Sequence, residues 1–251
     1  MIGVIAWATC REAVRSRTFI LLLIIYLLGV LMSRIVGWIS ATDGNIITTD
    51  VVFSLQSIMG VLVAVATGTA LVHVEIQQKT LYTILSRPLP RWQFVLGKYL
   101  GLCLALVAGQ LAMLIIGLIY LMLTGADVHQ WLVVAGLLTT LEVLVMAAVS
   151  LCWTALSSPL LAAVLGLATY ALGHAVHSLP GLVHHLKGTQ QTIAIVLASL
   201  VPDLGQFAYR NEAVYRTPLT LEDLALRVIY GVMWCTLLVV ITIAVVRRKQ
   251  L

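Results

Sequence analysis

The sequence predicts an all-α polytopic membrane protein with six transmembrane helices, on three observations. First, the 251 residues are 61% hydrophobic and only 10% charged, with a mean hydropathy of +1.05, whereas a soluble domain is about half apolar and a quarter charged. Second, six apolar runs approach or exceed the roughly 20 residues a helix needs to cross a bilayer, where the backbone must satisfy itself internally. Third, the lysines and arginines gather in alternate loops. All of residues 1–251 read as a single transmembrane domain.

In chain order, residues 1–17 come first. The start is not a signal peptide, because it lacks a basic opening and a small-residue cleavage site. Ile2 to Arg17 reads as an amphipathic helix with Ile2, Ile5, Ala6, Ala13 and Val14 toward lipid and Arg11, Arg15 and Arg17 toward phosphates. The spans follow at about Phe19–Trp38, Val51–Val72, Phe94–Leu123, Trp131–Leu156, Leu160–Leu179 and Val228–Val246. The second is the least hydrophobic, with Gln56, Thr67 and Thr69. No internal repeat is visible, which weighs against an inverted-repeat transporter.

Orientation follows from the basic residues. With both termini cytoplasmic, Arg11, Arg15, Arg17, Lys79, Arg87, Arg91, Lys98, Arg247, Arg248 and Lys249 lie inside, and Arg34, Lys187, Arg210, Arg216 and Arg227 outside. Most of the acids lie outside. The positive-inside rule therefore selects cytoplasmic termini. This loop placement also accounts for the basic pI of 9.2 without any nucleic acid.

Residues 75–91 form the central cytoplasmic segment. Ile76, Thr80, Leu81, Ile84 and Leu85 share one face at helical spacing, and the Pro88 and Pro90 pair ends that helix. Trp92 sits where an interfacial aromatic belongs, and Lys98 can snorkel back to the surface. Read from the residues alone, this is either a lever for a soluble partner or an ordinary helix resting on lipid.

Residues 180–227 form the long external segment. Gln190–Val201 is apolar but spans only about 18 Å as a helix, too short to cross, so it reads as re-entrant. Thr220 offers an N-cap, with Glu222 and Asp223 in the first turn of the last span.

The motif Glu75-x4-Thr80-Leu81 through Arg87-Pro88, Arg91 and Gly97-Lys98 resembles the first cytoplasmic loop of type-2 ATP-binding-cassette (ABC) exporter permeases. "REAVRSRTF" before the first span resembles that family's N-terminal connecting helix. Six spans with a re-entrant segment before the last are similar too, so the resemblance covers the whole chain. It implies a half-channel in a bacterial cytoplasmic (inner) membrane, paired with a second copy or a related permease among membrane lipids. Each half would dock on a cytoplasmic ABC ATPase subunit, present in two copies. Glu75, Thr80, Leu81, Leu85, Arg87 and Arg91 would make the ATPase-coupling contact, with Arg11, Arg15 and Arg17 of the connecting helix near Glu75. The chain has no G-x-x-x-x-G-K-[ST] of its own. It therefore needs no cofactor and is not itself an enzyme; ATP and Mg belong to the partner ATPase.

Two polar groups remain. Glu142 is the only acid within a predicted span, about 17 Å along its helix from Trp131, with Gln110 at similar depth as its expected partner. A structural hydrogen bond and a place in the transport pathway both fit; a proton relay would need a second intramembrane acid. His174 and His177, at the outer end of the fifth span, with His184 and His185 after a Pro180-Gly181 turn, could bind a transition metal. Headgroup-level placement explains them more simply, so no metal is expected. The four cysteines form no CxxC, and H-E-x-x-H and G-x-S-x-G are absent. The alternatives to an exporter are a non-catalytic membrane scaffold or assembly factor and, below that, a metal-binding membrane enzyme. The resemblance implies that spans two and five line the dimer cavity, and their small residues here (Ala64, Ala66, Gly68, Ala162, Ala163, Gly166, Ala168) favour a lipid-like, peptide or other amphipathic cargo over a bulky sugar chain.

Overall fold

The computed structural model describes residues 2–39, 44–77, 91–183 and 201–248. Among these residues the chain is all-α, with eight helices: α1 (Ile2–Arg15), α2 (Arg17–Ile39), α3 (Gly44–Gln77), α4 (Arg91–Leu123), α5 (Gln130–Leu156), α6 (Pro159–Val183), α7 (Arg210–Val214) and α8 (Leu221–Arg248). A 3-10 turn, Leu204–Phe207, precedes α7. Six helices are long and apolar enough to span a membrane: α2 to α6 and α8. The chain is a multi-pass membrane protein.

Burial sorts the six. In their most apolar windows, 61% of α3 and 72% of α5 are buried, against 22%, 17% and 22% of α2, α6 and α8. So α3 and α5 form the centre, and the other three turn large residues such as Leu28, Leu160, Val164 and Val240 outward. In lipid that outward face costs nothing, since the tails are as apolar as leucine.

Local chemistry explains the joints. Ser16 separates α1 from α2 and caps the latter, its Oγ accepting from Phe19 N–H at 3.2 Å. Gly125, at φ 75°, ends α4, with Ala126 N–H returning to Leu121 O at 3.0 Å. Ser157 closes α5 by bonding back to Trp153 O, and Pro159 opens α6 at the position where a missing N–H is harmless.

Three expectations need correction. The second span begins at Gly44, seven residues before Val51, because Thr48 and Thr49 satisfy their hydroxyls on Gly44 O (2.7 Å) and Asn45 O (2.8 Å) inside the helix. The last span begins at Leu221 rather than Val228. There Thr220 does cap the helix: its Oγ1 accepts from Asp223 N–H at 3.1 Å and donates to Asp223 Oδ2 at 2.6 Å. The fifth span does not turn at Pro180-Gly181; α6 continues to Val183.

The N-terminal helix differs as well. Its buried face is Ala6, Thr9 and Ala13, while Trp7 (68%) and Val4 (75%) are exposed. That small-residue face packs on α4 at Gly97 and Gly101. A Cβ at Gly97 would stand 2.9 Å from Ile5 Cγ2, and one at Gly101 would stand 2.6 Å from Thr9 Cβ. Further along, Phe19 meets Gly109 and Tyr26 meets Gly117. These approaches advance along both partners in the same direction. Helices α1 and α2 therefore run beside α4, instead of α1 lying across lipid with Ala6 and Ala13 toward it. Two glycines four apart let the backbones close up. Lys98, expected to snorkel, is 5% exposed, with its ammonium 6.0 Å from the Phe94 ring centroid.

At the end opposite α1, residues 201–220 fold down as a cap. Leu204, Phe207, Tyr209 and Ala213 are buried. Asp203 caps the 3-10 turn, accepting from Gly205 N–H at 3.1 Å and Gln206 Nε2 at 3.2 Å. A Cβ at Gly205 would run into the His177 ring, and one at Gly173 would stand 2.7 Å from Leu204, so the cap seats against α6 on glycine at both surfaces. Arg227 fastens it, donating to Gln206 O at 2.8 Å and lying 5.6 Å from the Tyr209 ring centroid. Burial and the Glu212 carboxylate push the Tyr209 phenol above its ordinary value, and its hydroxyl donates to Thr217 O. Most of the expected re-entrant stretch, residues 190–200, lies outside the described residues.

Candidate functional site in the bundle centre

Glu142 occupies the middle of α5, twelve residues from Gln130, or about 18 Å along the helix. Its side chain is 2% exposed. An ionisable group so placed must find polar partners or bear a desolvation cost of several kcal/mol.

Those partners come from two other helices. His174 of α6 brings Nε2 to 2.8 Å from Glu142 Oε1. Ser57 of α3 donates from Oγ to Oε2 at 3.2 Å. The same Ser57 oxygen lies 3.1 Å from the Tyr170 hydroxyl, and Tyr170 meets the His174 ring edge-on at 4.7 Å. Tyr170 and His174, one turn apart on α6, thus close a ring of four side chains with Ser57 and Glu142.

The expected partnership of Glu142 with Gln110 does not form. Gln110 instead accepts from Gln56 Nε2 at 3.1 Å and donates to Gln56 O at 3.5 Å. The two glutamines face each other between α3 and α4 where Gly60 leaves room for the Gln110 amide. Gln56 Oε1 is buried with no hydrogen-bond partner. Thr139 and Thr140, beside Glu142 in sequence, bond back to Ala135 O and Gly136 O on their own helix.

The histidines also differ from expectation. His174 lies more than two turns before the end of α6, which runs on past Pro180, and it meets Glu142 in the bundle. His177, one turn nearer the cap, pairs with Asp203 at 3.2 Å. Among the described residues no three metal-ligating side chains converge; His184 and His185 lie outside them.

Other charges pair at the capped end. Arg210 Nε is 3.7 Å from Asp50 Oδ1, Arg227 is 3.7 Å from Glu212, and Arg216 meets Asp127. Arg216 takes a left-handed φ of 56°, a turn that is uncommon without glycine. An open cleft of about 220 Å³ beside it is lined by Asn45, Thr49, Asp127 and His129.

Of the residues expected to couple to an ATPase, Glu75 and Arg91 fall at the opposite end. Glu75 is in the last turn of α3 and Arg91 opens α4. Thr80, Leu81, Leu85 and Arg87 lie outside the described residues. Arg11, Arg15 and Arg17 are exposed.

Ser57 and Tyr170 were not singled out from the sequence. Tyr170, His174 and His177 at i, i+4 and i+7 form one polar stripe on an otherwise apolar helix, the signal that could have found Tyr170. Compared with known proteins, the chain matches no family model, and no curated protein matches it.

Proposed function

We propose that this multi-pass membrane protein is the permease subunit of an ATP-driven ABC exporter, working as a dimer on two copies of a separate cytoplasmic ATPase. The observation that carries the reading is the loop motif from Glu75 to Lys98, with its Thr80-Leu81, Arg87-Pro88 and Gly97-Lys98 elements. The packing of α1 adds support. The loop feeds directly into α4, and α4 carries α1 against Gly97 and Gly101. A push on residues 78–90 would then move α1 and α4 as one body. Such coupling works only if the ATPase binds the two conformations of the permease unequally.

On this reading the chain holds no ATP site; ATP and Mg act in the partner, no nucleic acid is involved, and both termini face the cytoplasm of a bacterial inner membrane. The cargo would be amphipathic. The test is to purify the chain with its ATPase, then compare ATP turnover and export in wild type and Glu75→Ala. Loss of coupling with the complex intact supports the reading. Turnover and export unchanged in the mutant remove the coupling role, and an assembled complex that never hydrolyses ATP points to a scaffold.

A further inference from the structure

Three ionisable side chains step inward from the cap along adjoining faces of α6 and α5. His177 is 56% exposed, His174 28% and Glu142 2%. Histidines three apart on a helix are surface neighbours, about 5–6 Å between Cβ atoms. The series begins at Asp203 and ends on a carboxylate in the bundle centre.

We propose that Glu142 and His174 form a proton-binding site within the membrane-spanning bundle, loaded from the capped end by way of His177. With Glu142 ionised the carboxylate can only accept, so the hydrogen of the 2.8 Å contact is then on His174 Nε2. His174 Nδ1 then carries the free lone pair. A proton arriving from water adds to Nδ1; no other bond forms or breaks, and the imidazole becomes imidazolium. The pair changes from one net negative charge to none.

Among the described residues, the charged side chains on the neighbouring elements have other partners. On α3, Asp50 pairs with Arg210 of α7, and Ser57 carries no charge. On α6, His177 pairs with Asp203, and Tyr170 is engaged with Ser57. On α8, Arg227 serves Glu212 and the cap, and Tyr230 accepts from Asp203 N–H. On α4, Gln110 is uncharged and bound to Gln56. The sequence offered no second intramembrane acid for a relay; a histidine drawn to the depth of the first fills that place. Since the site joins α5 to α6, parting those helices would release the proton, and proton binding would hold them together. The inference rests on this geometry and is independent of the exporter reading.

The test uses the full chain in lipid nanodiscs with labelled histidine, titrated by NMR. Glu142→Gln removes the carboxylate that His174 touches, so it should move the His174 titration relative to wild type and leave that of His129 in place. A His174 titration that Glu142→Gln leaves unmoved overturns the proposal. Infrared spectroscopy of chain labelled at the glutamate carboxyl gives a second, separate measure at neutral pH. His174→Gln should show a new protonated-carboxyl band, because the imidazole that takes the proton is gone and the carboxylate is the remaining acceptor in the pair. The same spectrum in mutant and wild type overturns the proposal even if Glu142→Gln fails to fold.

Discussion

A methyl group at Gly101 would stand 2.6 Å from the Cβ of Thr9 and would also strike the Ala6 carbonyl. The N-terminal helix therefore reaches the third span only because that position has no side chain. Gly101→Val should destabilise the protein by about 1–3 kcal/mol through overpacking against a backbone that cannot step aside. Gly3→Ala, with open space around it, should be neutral or slightly stabilising. Thermal unfolding in detergent distinguishes the two, and equal losses would mean α1 does not pack as described.

The Gln56–Gln110 pair invites a double-mutant cycle. Each alanine variant removes the side-chain bond between the two amides, while the Gln110 bond to the main-chain Gln56 O survives in Gln56→Ala. The coupling energy should fall near the 0.6 kcal/mol average for intramembrane hydrogen bonds and below about 1.7 kcal/mol. A coupling of zero would show that the two side chains do not meet.

Thr220→Ala removes the cap of the last span and should cost about 1 kcal/mol. Amide exchange should accelerate at residues 221–224 and nowhere in α5. Thr220→Ser, which keeps the hydroxyl, should restore protection.

Phe207, in the 3-10 turn of the cap, is fully buried. Phe207→Ala should cost about 3–5 kcal/mol locally and expose residues 201–220 to protease while the spans stay intact. Cleavage no faster than in wild type would contradict the packed cap.

The orientation can be checked by labelling. Lys79→Cys or Arg87→Cys should react with an impermeant thiol reagent only after cells are opened. Reaction in intact cells would put that loop outside and remove the basis of the exporter reading.

Much of the architecture was legible from the sequence, since apolar run length and the hydrogen-bonding demands of a bilayer leave a chain like this few choices. The spans fall where the runs do, and Thr220 caps α8 as the capping pattern said. Span starts were harder to see. Thr48 and Thr49 look like loop residues until their hydroxyls are found bonded to carbonyls one turn back.

The centre of the bundle was only half legible. That Glu142 had to have a partner followed from composition and depth alone. Which partner did not: Gln110 was at the right height but on the side facing Gln56, while His174 looked interfacial until α6 was seen to continue past Pro180.

The sequence by itself determined that the chain crosses a membrane, roughly where, and that one buried carboxylate needs company, because each follows from the energy of single segments in lipid. Only the tertiary structure decided who meets whom. Rotation and stagger between helices depend on contacts such as Gly101 under Thr9 and Gly205 against His177, which join residues far apart in the chain and leave no periodic trace along it.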